Sequence, residues 1–589
     1  MKTIKKITAM TMAVMMCAGA AGCSSSDSST ADGGGDTGTY AEYANTVAVN
    51  SDGESGGAEN NYTTTALRNN IVGNEGYLQH ADDDDTVNGG IVGIEEDADS
   101  VYPTFSTTTG GVLTDYSMYP YNTEEYGKIT ENVYKSTAQN PLSTFSTDVD
   151  TASYSNVRRM LKQGWRGIDP DAVRVEEFIN YFDYDYPEPD TYDPFSVTTE
   201  LSDCPWNDEA KLLLVGLKAE DIDINEREPL NLVFLIDVSG SMFSEDKLPL
   251  VQKSFSMLTD NLGEDDRISI VTYAGEDRIV LGGTSGADKE KIKEAINSLE
   301  AGGSTYGEAG INRAYELAEK YFIKNGNNRV ILATDGDLNV GLSSTEELTE
   351  LIEEKRESGV YLSVLGFGSG NIKDDRMEAL ADCGNGNYSF IDSELEAKKV
   401  LVEEMCGTLY TIAKDVKIQV EFNPANVAEY RLIGYENRAL ADRDFADDTK
   451  DAGEIGAGHT VTALYELILE GTAGNIELKY QQEKPAVTEP NEYSNELLTV
   501  SLRYKYPESD TSRLLSVPVT NDLYREKMPK NMTFAAAAAE FGIVLRGSDY
   551  RGTASCEQIL DLLGSYDYGD DEYKREFTEL VTMVQPLGY

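Results

Sequence analysis

The sequence predicts an α/β fold in which a doubly wound, mostly parallel sheet is inserted in, or flanked by, a β-sandwich-like domain. Helical elements are expected on the N- and C-terminal sides. Between Leu230 and about Lys414, continuous apolar strands alternate with amphipathic helices, a pattern typical of a parallel sheet covered on both faces. From about Asp415 to Pro518 strands dominate, and this run favours an antiparallel sandwich.

The elements of the α/β stretch follow from the period of their apolar residues and from Gly stop positions. RIVLG is expected to be a short edge strand. The predicted elements in chain order are NLVFLID, KLPLVQKSFSMLTDNL, RISIVTYA, RIVLG, KEKIKEAINSLE, GEAGINRAYELAEKYF, RVILATD, TEELTELIEEKRESG, VYLSVLGFG, DDRMEALADCG, YSFID and ELEAKKVLVEEMCGTLYTIAK.

The regions that flank the α/β stretch have their own patterns. On the N-terminal side, helical spacing in TASYSNVRRMLKQGW and DAVRVEEFINYFDY precedes two strands, PFSVTTELS and KLLLVGLKA. If these strands join the later sheets, the α/β unit is an insertion in a β-domain. The later strands are VKIQVEFN, YRLIGYE, TVTALYELILE, NIELKY and ELLTVSLRYK, and the helices after them are FAAAAAEFGIVLRGS, CEQILDLLGSY and YKREFTELVTMV. The Ala run predicts close helix packing, because it is too short to span a membrane.

The N-terminus has the features of an export signal. Lys2, Lys5 and Lys6 precede a short apolar run, and small residues then lead to Cys23. The Ala20-Ala21-Gly22-Cys23 ending resembles the bacterial lipobox, which implies lipidation of Cys23 and a protein held on a bacterial membrane, facing outside the cytoplasm. A secretory signal with a chance Cys is the alternative. Residues 24 to about 127 have no persistent pattern and predict a disordered acidic tether.

These observations divide the chain into six segments. Segment boundaries are 1–22 for the signal peptide, 23–128 for the tether, 129–229 for the N-terminal region, 230–414 for the α/β domain, 415–520 for the β-rich domain and 521–589 for the helical region. Four cysteines outside the signal and the lipidation residue remain, with open pairing: Cys204, Cys383, Cys406 and Cys556. Buried free thiols are an equally good reading.

Composition excludes several classes of function. The 589 residues carry a formal net charge of −55, which disfavours nucleic acid and anionic lipid as partners. His80 and His459 are the only histidines in the chain, so a Ser-His-Asp mechanism or a His-rich zinc site has almost no material. GFGSG at 366–370 fits neither a dinucleotide fingerprint nor a P-loop, and nucleotide binding is not expected.

Oxygen-bearing side chains follow the first and third buried strands of the α/β unit. The first strand runs into Asp237-Val238-Ser239-Gly240-Ser241, and the third ends at Asp335. A second loop, Gly302-Gly303-Ser304-Thr305, falls between two helices. Ligands bind beyond the carboxyl ends of strands in such sheets, and these oxygens suit Mg²⁺, Ca²⁺ or Mn²⁺. Taken singly, the serines are equally consistent with helix caps and Asp335 with a turn.

The combination resembles the metal-ion-dependent adhesion site of von Willebrand factor type A domains. The resemblance covers about Leu230 to Lys414 and implies a divalent cation, most often Mg²⁺. It implies direct hydroxyl ligation by Ser239 and Ser241, a ligand at Thr305 (with Ser304 as the alternative), and carboxylates at Asp237 and Asp335 that bind directly or through water. One position then stays open for a partner's Glu or Asp.

A closer resemblance covers roughly Pro141 to Tyr589. STFSTDVDTASYSNVRRML, EEFINYFDYDYP, CPWN, FLIDVSGSM, AGGSTYG, RVILATDGDLNVG, VLGFGSGN, NGNYSFIDS, AKDVKIQVEFNP and YRLIGYENR are similar to a family of bacterial lipoproteins with a central von Willebrand A domain. Their C-terminal domain has no assigned function. Many relatives have Asn at the position of Tyr306.

Three functions remain open at this stage. The leading hypothesis is a non-enzymatic, membrane-anchored binding protein that docks the carboxylate of a protein or matrix partner on its metal. A structural or assembly factor of the cell envelope is the second. A metal-dependent hydrolase is the third, and the lack of a His base disfavours it.

Overall fold

The computed structural model describes residues 105–109, 112–116 and 123–588, apart from 190–191, 223–226, 304–307, 337–344, 405–406, 408, 451, 473–492 and 508. Cys23, the signal peptide and most of the predicted tether lie outside these residues. Two short strands, β1 (Phe105–Thr109) and β2 (Val112–Tyr116), form an antiparallel pair.

A six-stranded sheet forms the centre of the α/β domain. Its order is β12-β11-β10-β7-β8-β9, and every neighbouring pair is parallel except β8 with β9. The antiparallel edge strand β9 contains the predicted RIVLG strand. The bounds are β7 (Leu230–Asp237), β8 (Arg267–Tyr273), β9 (Asp277–Ser285), β10 (Asn327–Thr334), β11 (Tyr361–Phe367) and β12 (Tyr388–Ile391).

Helices cover both faces of this sheet, which confirms the doubly wound prediction. Alternate residues of β7 enter different cores, because successive side chains of a strand point to opposite faces. Phe234 packs with α3, where the centroids of the Phe234 and Phe255 rings lie 4.2 Å apart. Val233 and Leu235 pack with α5 and α6 on the other face. The helices are α3 (Leu248–Asp260), α4 (Lys289–Asn297), α5 (Glu308–Lys320), α6 (Thr345–Arg356), α7 (Asp374–Cys383) and α8 (Glu394–Lys398).

Two antiparallel five-stranded sheets form a sandwich outside the α/β domain. One has the order β3-β14-β16-β6-β5; in the other, β15-β13-β17-β18, β4 also pairs with β13. Their inner faces share one apolar core. The strands are β3 (Lys135–Ser136), β4 (Leu142–Ser146), β5 (Phe195–Asp203), β6 (Lys211–Ala219), β13 (Thr411–Phe422), β14 (Val427–Ile433), β15 (Gly453–Gly456), β16 (Thr460–Leu469), β17 (Glu496–Lys505) and β18 (Arg513–Thr520). The predicted strand NIELKY lies outside the described residues.

The strand pairing shows that the α/β domain is inserted in the sandwich. Strands that precede the domain pair with strands that follow it: Leu213 of β6 faces Tyr465 of β16, and Phe145 of β4 faces Ile418 of β13. One predicted boundary is wrong. The helix expected to run through Lys414 passes through a π-helical turn at Lys399–Glu403; Gly407 and Leu409 are still helical, and β13 begins at Thr411. Thr411-Ile412 is β-branched, and pairing with β15 draws it into the sheet.

A helical layer covers the outer face of the β14-β16-β6 sheet. The Ala535–Ala539 run is fully buried in it, as predicted for close helix packing. Within the described part of the chain, no helix combines the length and apolar character needed to cross a membrane. The helices of this layer are α1 (Ala152–Lys162), α2 (Val175–Asn180), α9 (Lys530–Arg546), α10 (Cys556–Leu563) and α11 (Glu572–Val584).

Buried ion pairs join the β12 edge of the α/β domain to the rest of the chain; we call this region the β12 junction. Arg158 of α1 has no solvent exposure and pairs with Asp392, Glu396 and Glu576. A second group places six carboxylates around two guanidiniums. Its members are Arg174, Arg438, Asp148, Asp150, Glu177, Asp374, Glu378 and Asp382.

The last residues of the predicted tether contact the α/β domain, which corrects its predicted end at residue 128. Thr123 N donates to Gly370 O at 2.9 Å, and Glu125 N donates to Ile372 O at 3.0 Å. Glu125 also pairs with Lys373. These are mostly backbone contacts, which leave no apolar periodicity in the sequence.

Three of the four cysteines with open pairing are free thiols. Cys204 and Cys556 are buried, and Cys383 is half-buried. Cys406 lies outside the described residues. Among the described cysteines, the reading as free thiols is therefore the one the structure supports.

Candidate metal centre

The end of β7 brings a carboxylate and two hydroxyls together. Asp237 is the last residue of β7, and its Oδ1 accepts a hydrogen bond from Ser239 N at 2.8 Å. A short 3₁₀ turn, Gly240–Phe243, follows and turns Ser241 back, so that the two serine Oγ atoms lie 2.9 Å apart. Asp237 and Ser239 are buried, whereas Ser241 is exposed. The cluster therefore reaches solvent on the Ser241 side.

The second predicted loop begins directly beside the first. Gly302 N donates to Val238 O at 2.8 Å, and Gly240 N donates to Gly303 O at 3.1 Å. Gly303 has a φ of +89°, a conformation that glycine adopts without strain. Thr305, its alternative Ser304 and Tyr306 lie outside the described residues. These two backbone hydrogen bonds hold the start of the second loop against the first loop. Thr305 remains a predicted site residue.

Asp335 reaches the same edge from the neighbouring strand. β10 lies beside β7 in parallel register, with Ala333 opposite Ile236, so both strands end together. Asp335 is fully buried. The following Gly336 has a φ of +98° and no room for a side chain, because a Cβ there would lie 2.7 Å from Asn371 O. Four of the five predicted residues, Asp237, Ser239, Ser241 and Asp335, thus lie together at one edge of the sheet, at or just after the ends of β7 and β10.

The two carboxylates differ in their electrostatic environment. Burial raises the pKa of Asp237 to about 6, and nearby Asp335 also raises it. The buried Oδ2 atom of Asp237 makes no hydrogen bond of good geometry with the described residues, although the Tyr273 hydroxyl beside this carboxyl acts to lower its pKa. Burial alone would also raise the pKa of Asp335, but the Lys247 ammonium, together with hydrogen bonds from Asn371 and Ser241, outweighs burial and holds this pKa below its usual value. Asp237 therefore carries the less compensated charge.

Sequence reasoning missed Lys247, which lies directly before α3. Its Nζ donates to Asp335 Oδ2 at 2.8 Å and to Asn371 Oδ1 at 3.3 Å. Its stem lies across Gly368, where a Cβ would overlap the lysine side chain. Gly368 belongs to the glycine-rich stretch at 366–370, so this glycine makes room for Lys247. A lysine at the start of a polar-faced helix is an ordinary surface pattern, and the pattern alone does not indicate this role.

The donor set suits a hard divalent cation. Hydroxyl and carboxylate oxygens are preferred by Mg²⁺, Mn²⁺ and Ca²⁺, and a buried carboxylate oxygen without a partner is a position that a cation would compensate. No group of three or more His, Cys, Asp or Glu side chains is arranged for a metal in the described ranges. The centre at the β7 and β10 ends has only two carboxylates and depends on hydroxyls, so it differs from such a cluster.

Comparison with known proteins gives the class first. A family model for the von Willebrand factor type A domain matches residues 231–404, the range of the six-stranded sheet, and a model described as von Willebrand factor matches residues 120–214. The chain is thus a von Willebrand factor type A domain protein. Domains of this class generally mediate protein–protein interactions and are mostly non-enzymatic.

The particular family follows from the remaining matches. A model described as uncharacterized protein YfbK, C-terminal, matches residues 407–587. Uncharacterized protein YfbK of Escherichia coli (strain K12) is 45% identical over 471 residues, which cover 78% of this chain and 81% of that protein. The chain belongs to the YfbK family.

More distant similarities involve the central region. Inter-alpha-trypsin inhibitor heavy chain H3 of Homo sapiens is 27% identical over 194 residues, which cover 31% of this chain and 22% of that protein. A solved von Willebrand factor type A structure from Catenulispora acidiphila is 16% identical, with a TM-score of 0.37, and the match covers 67% of this chain and 91% of that chain.

Proposed function

We propose that this protein binds a divalent cation of the Mg²⁺ type at Asp237, Ser239, Ser241, Thr305 and Asp335, and that the cation holds a carboxylate of a protein or matrix partner. The observation that carries the proposal is the buried Oδ2 of Asp237, which makes no hydrogen bond of good geometry with the described residues, beside two serine hydroxyls 2.9 Å apart. The role is binding, not catalysis. His459 is half-buried in a loop of the sandwich, and desolvation of its ring lowers its pKa to about 4.

Each residue has a distinct part in this function. Ser239 and Ser241 would offer hydroxyl oxygens directly, and Thr305 a third one from the second loop. Asp237 and Asp335 would supply negative charge, directly or through water. A bound cation supplies positive charge that attracts the partner's carboxylate. The exposed side of the cluster at Ser241 is where that carboxylate would approach.

An exposed aromatic residue suggests how the partner surface is arranged. Phe243 lies two residues after Ser241 in the same turn, and 81% of it is exposed. A large apolar side chain this exposed beside a polar cluster fits a contact surface. We therefore expect the partner to present an acidic residue next to an apolar one.

The cation site is tested by thermal unfolding of the purified full chain with Mg²⁺ or EDTA. A ligand that binds only the folded state raises its stability by RT ln(1 + [L]/Kd), about 2.7 kcal/mol at 100 times Kd. Wild type should be stabilised by Mg²⁺, and Asp237→Asn and Ser239→Ala should respond much less. Asp260→Asn, at an exposed position on α3, is the matched control and should respond like wild type. Equal Mg²⁺ responses in all four proteins would contradict the proposal.

Carboxylate docking needs a separate test in cells. Crosslinking on intact cells should capture the partner in Mg²⁺, lose it in EDTA and recover it when Mg²⁺ is restored. Asp335→Ala should abolish capture in every condition. A partner that remains bound in EDTA would rule out docking through the metal.

Membrane attachment is part of the same proposal. The positive n-region, apolar run and Cys23 of the sequence support export and lipidation at Cys23. Cys23→Ser should release the protein from the membrane fraction, and it should remove incorporation of a labelled fatty acid. Unchanged fractionation and labelling would contradict the anchor.

A cavity outside the α/β domain offers a second place where a partner could bind, which the alternative function in assembly of the cell envelope would require. The cavity has a volume of about 480 Å³ and is lined by Tyr134, Trp206, Glu466 and Tyr550, among others. Arg431 compensates the Glu466 carboxylate at its floor, with 2.9 Å between Nε and Oε2. A partner that is lost with Tyr550→Ala but retained with Asp335→Ala would favour this function over metal docking.

A further inference from the structure

The Lys247 ammonium is held at a mostly buried position beside the candidate metal centre. Its side chain is only 9% exposed, and the Asp335 side chain that it contacts is fully buried. Asn371, its second acceptor, lies in a loop packed against Gly336. Gly368 provides the space for the lysine stem. Asp335, Asn371 and the space above Gly368 thus hold the positive charge of Lys247 beside one buried carboxylate.

The loop that carries Asn371 is itself fixed from the N-terminal side. Backbone atoms of Thr123 and Glu125 bond to Gly370 and Ile372, the residues on either side of Asn371. Gly370 N also donates to Glu124 Oε1 at 2.8 Å. The Lys247 ammonium therefore lies in a pocket whose loop is fixed by hydrogen bonds, and not at the open surface.

The formal charges at the site decide whether it attracts a carboxylate. Asp237 and Asp335 contribute two negative charges and Lys247 one positive charge, so the metal-free site has a net charge of −1. A divalent cation changes this to +1, and one carboxylate from a partner makes the loaded site neutral. Without Lys247 the loaded site would already be neutral, and the partner's carboxylate would make it negative.

We propose that Lys247 is a specificity-determining residue that weakens cation binding and strengthens carboxylate binding at this site. The inference rests on the proposed function of the same centre. Lys247 repels the incoming cation because the two positive charges share Asp335. It also leaves the loaded site with the positive charge that an acidic partner requires. A unit charge several ångströms away in a protein interior changes an affinity by roughly tenfold or more.

A residue with only a structural role would behave differently. Loss of packing at Lys247 would disturb Asp335 and lower the affinity for both the cation and the carboxylate. The charge role predicts changes of opposite sign. Measuring the two affinities on the same variant therefore separates the two explanations.

The variant for this test is Lys247→Met, which keeps an unbranched stem over Gly368 and removes the charge. Mg²⁺ binding to the purified full chain is measured by calorimetry. Acetate, a carboxylate probe, is then titrated onto the Mn²⁺-loaded protein, and displacement of metal-bound water is followed by proton relaxation. We expect roughly tenfold tighter Mg²⁺ binding and roughly tenfold weaker acetate binding. Lys247→Arg keeps the charge and should leave both affinities within about twofold of wild type.

Lys253→Met is the matched control, because Lys253 lies on α3 but is largely exposed and pairs with Glu394 at the surface. It should change neither affinity. If Lys247→Met does not fold, Lys247→Gln is measured in its place with the same expectation. Weaker binding of both probes, or no change in either, overturns the inference while the proposed function stands. A wild-type chain that binds no Mg²⁺ overturns the proposed function itself.

Discussion

Two regions of this α/β domain compensate their buried carboxylates differently. At the β12 junction, three arginines bridge carboxylates from several elements of the chain. At the candidate metal centre, a single lysine compensates Asp335, and Asp237 Oδ2 makes no hydrogen bond of good geometry with the described residues. Burying a charge is costly unless it is paired. Compensation at the junction comes from the chain itself, whereas under the proposed function the centre takes part of it from an external ion.

The difference distinguishes charge used for architecture from charge kept for binding. The junction ties the inserted domain to the sandwich and the helical layer, so it must be complete in the folded chain alone. The centre lies on loops that reach solvent at Ser241, where an ion and a partner have access. Carboxylates that are incompletely paired at a solvent-accessible edge of the sheet therefore indicate a ligand site. Carboxylates that are densely paired with arginines at a covered edge indicate a role in stability.

The largest effect is expected from removing an arginine of the junction. Arg158→Met leaves Asp392 and Glu396 buried without their guanidinium, which should cost about 3–5 kcal/mol of unfolding free energy. Urea unfolding measures the loss. The surface variant Lys253→Met should unfold like wild type. A loss for Arg158→Met no larger than that of the surface control would mean that the junction does not hold the domains together.

The junction should also give the protein a pH-dependent stability. Burial raises the pKa of Glu378 to about 8, against Arg174 and Arg438, which lower it. The folded chain thus keeps the Glu378 proton at pH values where the unfolded chain, with a pKa of 4.5, has lost it. The stability that comes from this retained proton is complete below pH 4.5 and is lost as the pH rises towards 8. Glu378→Gln should reduce the downward slope between these values by up to about 1.4 kcal/mol per pH unit.

Unfolding free energies at several pH values test this slope. Glu354→Gln, an exposed acid on α6, is the control and should keep the wild-type slope. A Glu378→Gln slope equal to that of wild type would show that Glu378 retains no proton in the folded chain.

The smallest effect on stability is expected at the rim of the metal centre. Phe243→Ser removes a side chain that is 81% exposed, so the unfolding free energy should stay within about 0.5 kcal/mol. Mg²⁺ affinity should also be unchanged. Capture of the partner in the crosslinking experiment should fall severalfold, and unchanged capture would remove Phe243 from the docking surface.

Much of the fold was predictable because its determinants are local. Apolar strands such as Leu230–Asp237, with helices between them, predicted the parallel sheet, and β-strands on both sides of it led to the insertion hypothesis that the pairing of β6 with β16 confirms. The start of β13 at Thr411 was missed, because its pairing with β15 involves a strand distant in sequence.

The candidate site was predictable only in part. Asp237, Ser239, Ser241 and Asp335 could be found because two strand ends carry them. Lys247 could not, because its role depends on Asn371 and Gly368, more than a hundred residues later in the chain. Backbone contacts of Thr123 and Glu125 also leave no pattern in the side chains. Thr305 remains a prediction.

The insertion has a consequence for the order in which the chain folds. All strands of the six-stranded sheet lie between Leu230 and Ile391, so the α/β domain can form before any later strand of the chain is available. The sandwich cannot close then, because β6 must wait for β16 and β4 must wait for β13. β5 already pairs with one edge of β6, so only the other edge stays open until β16 arrives. Strands after the inserted domain thus complete sheets that the strands before it begin.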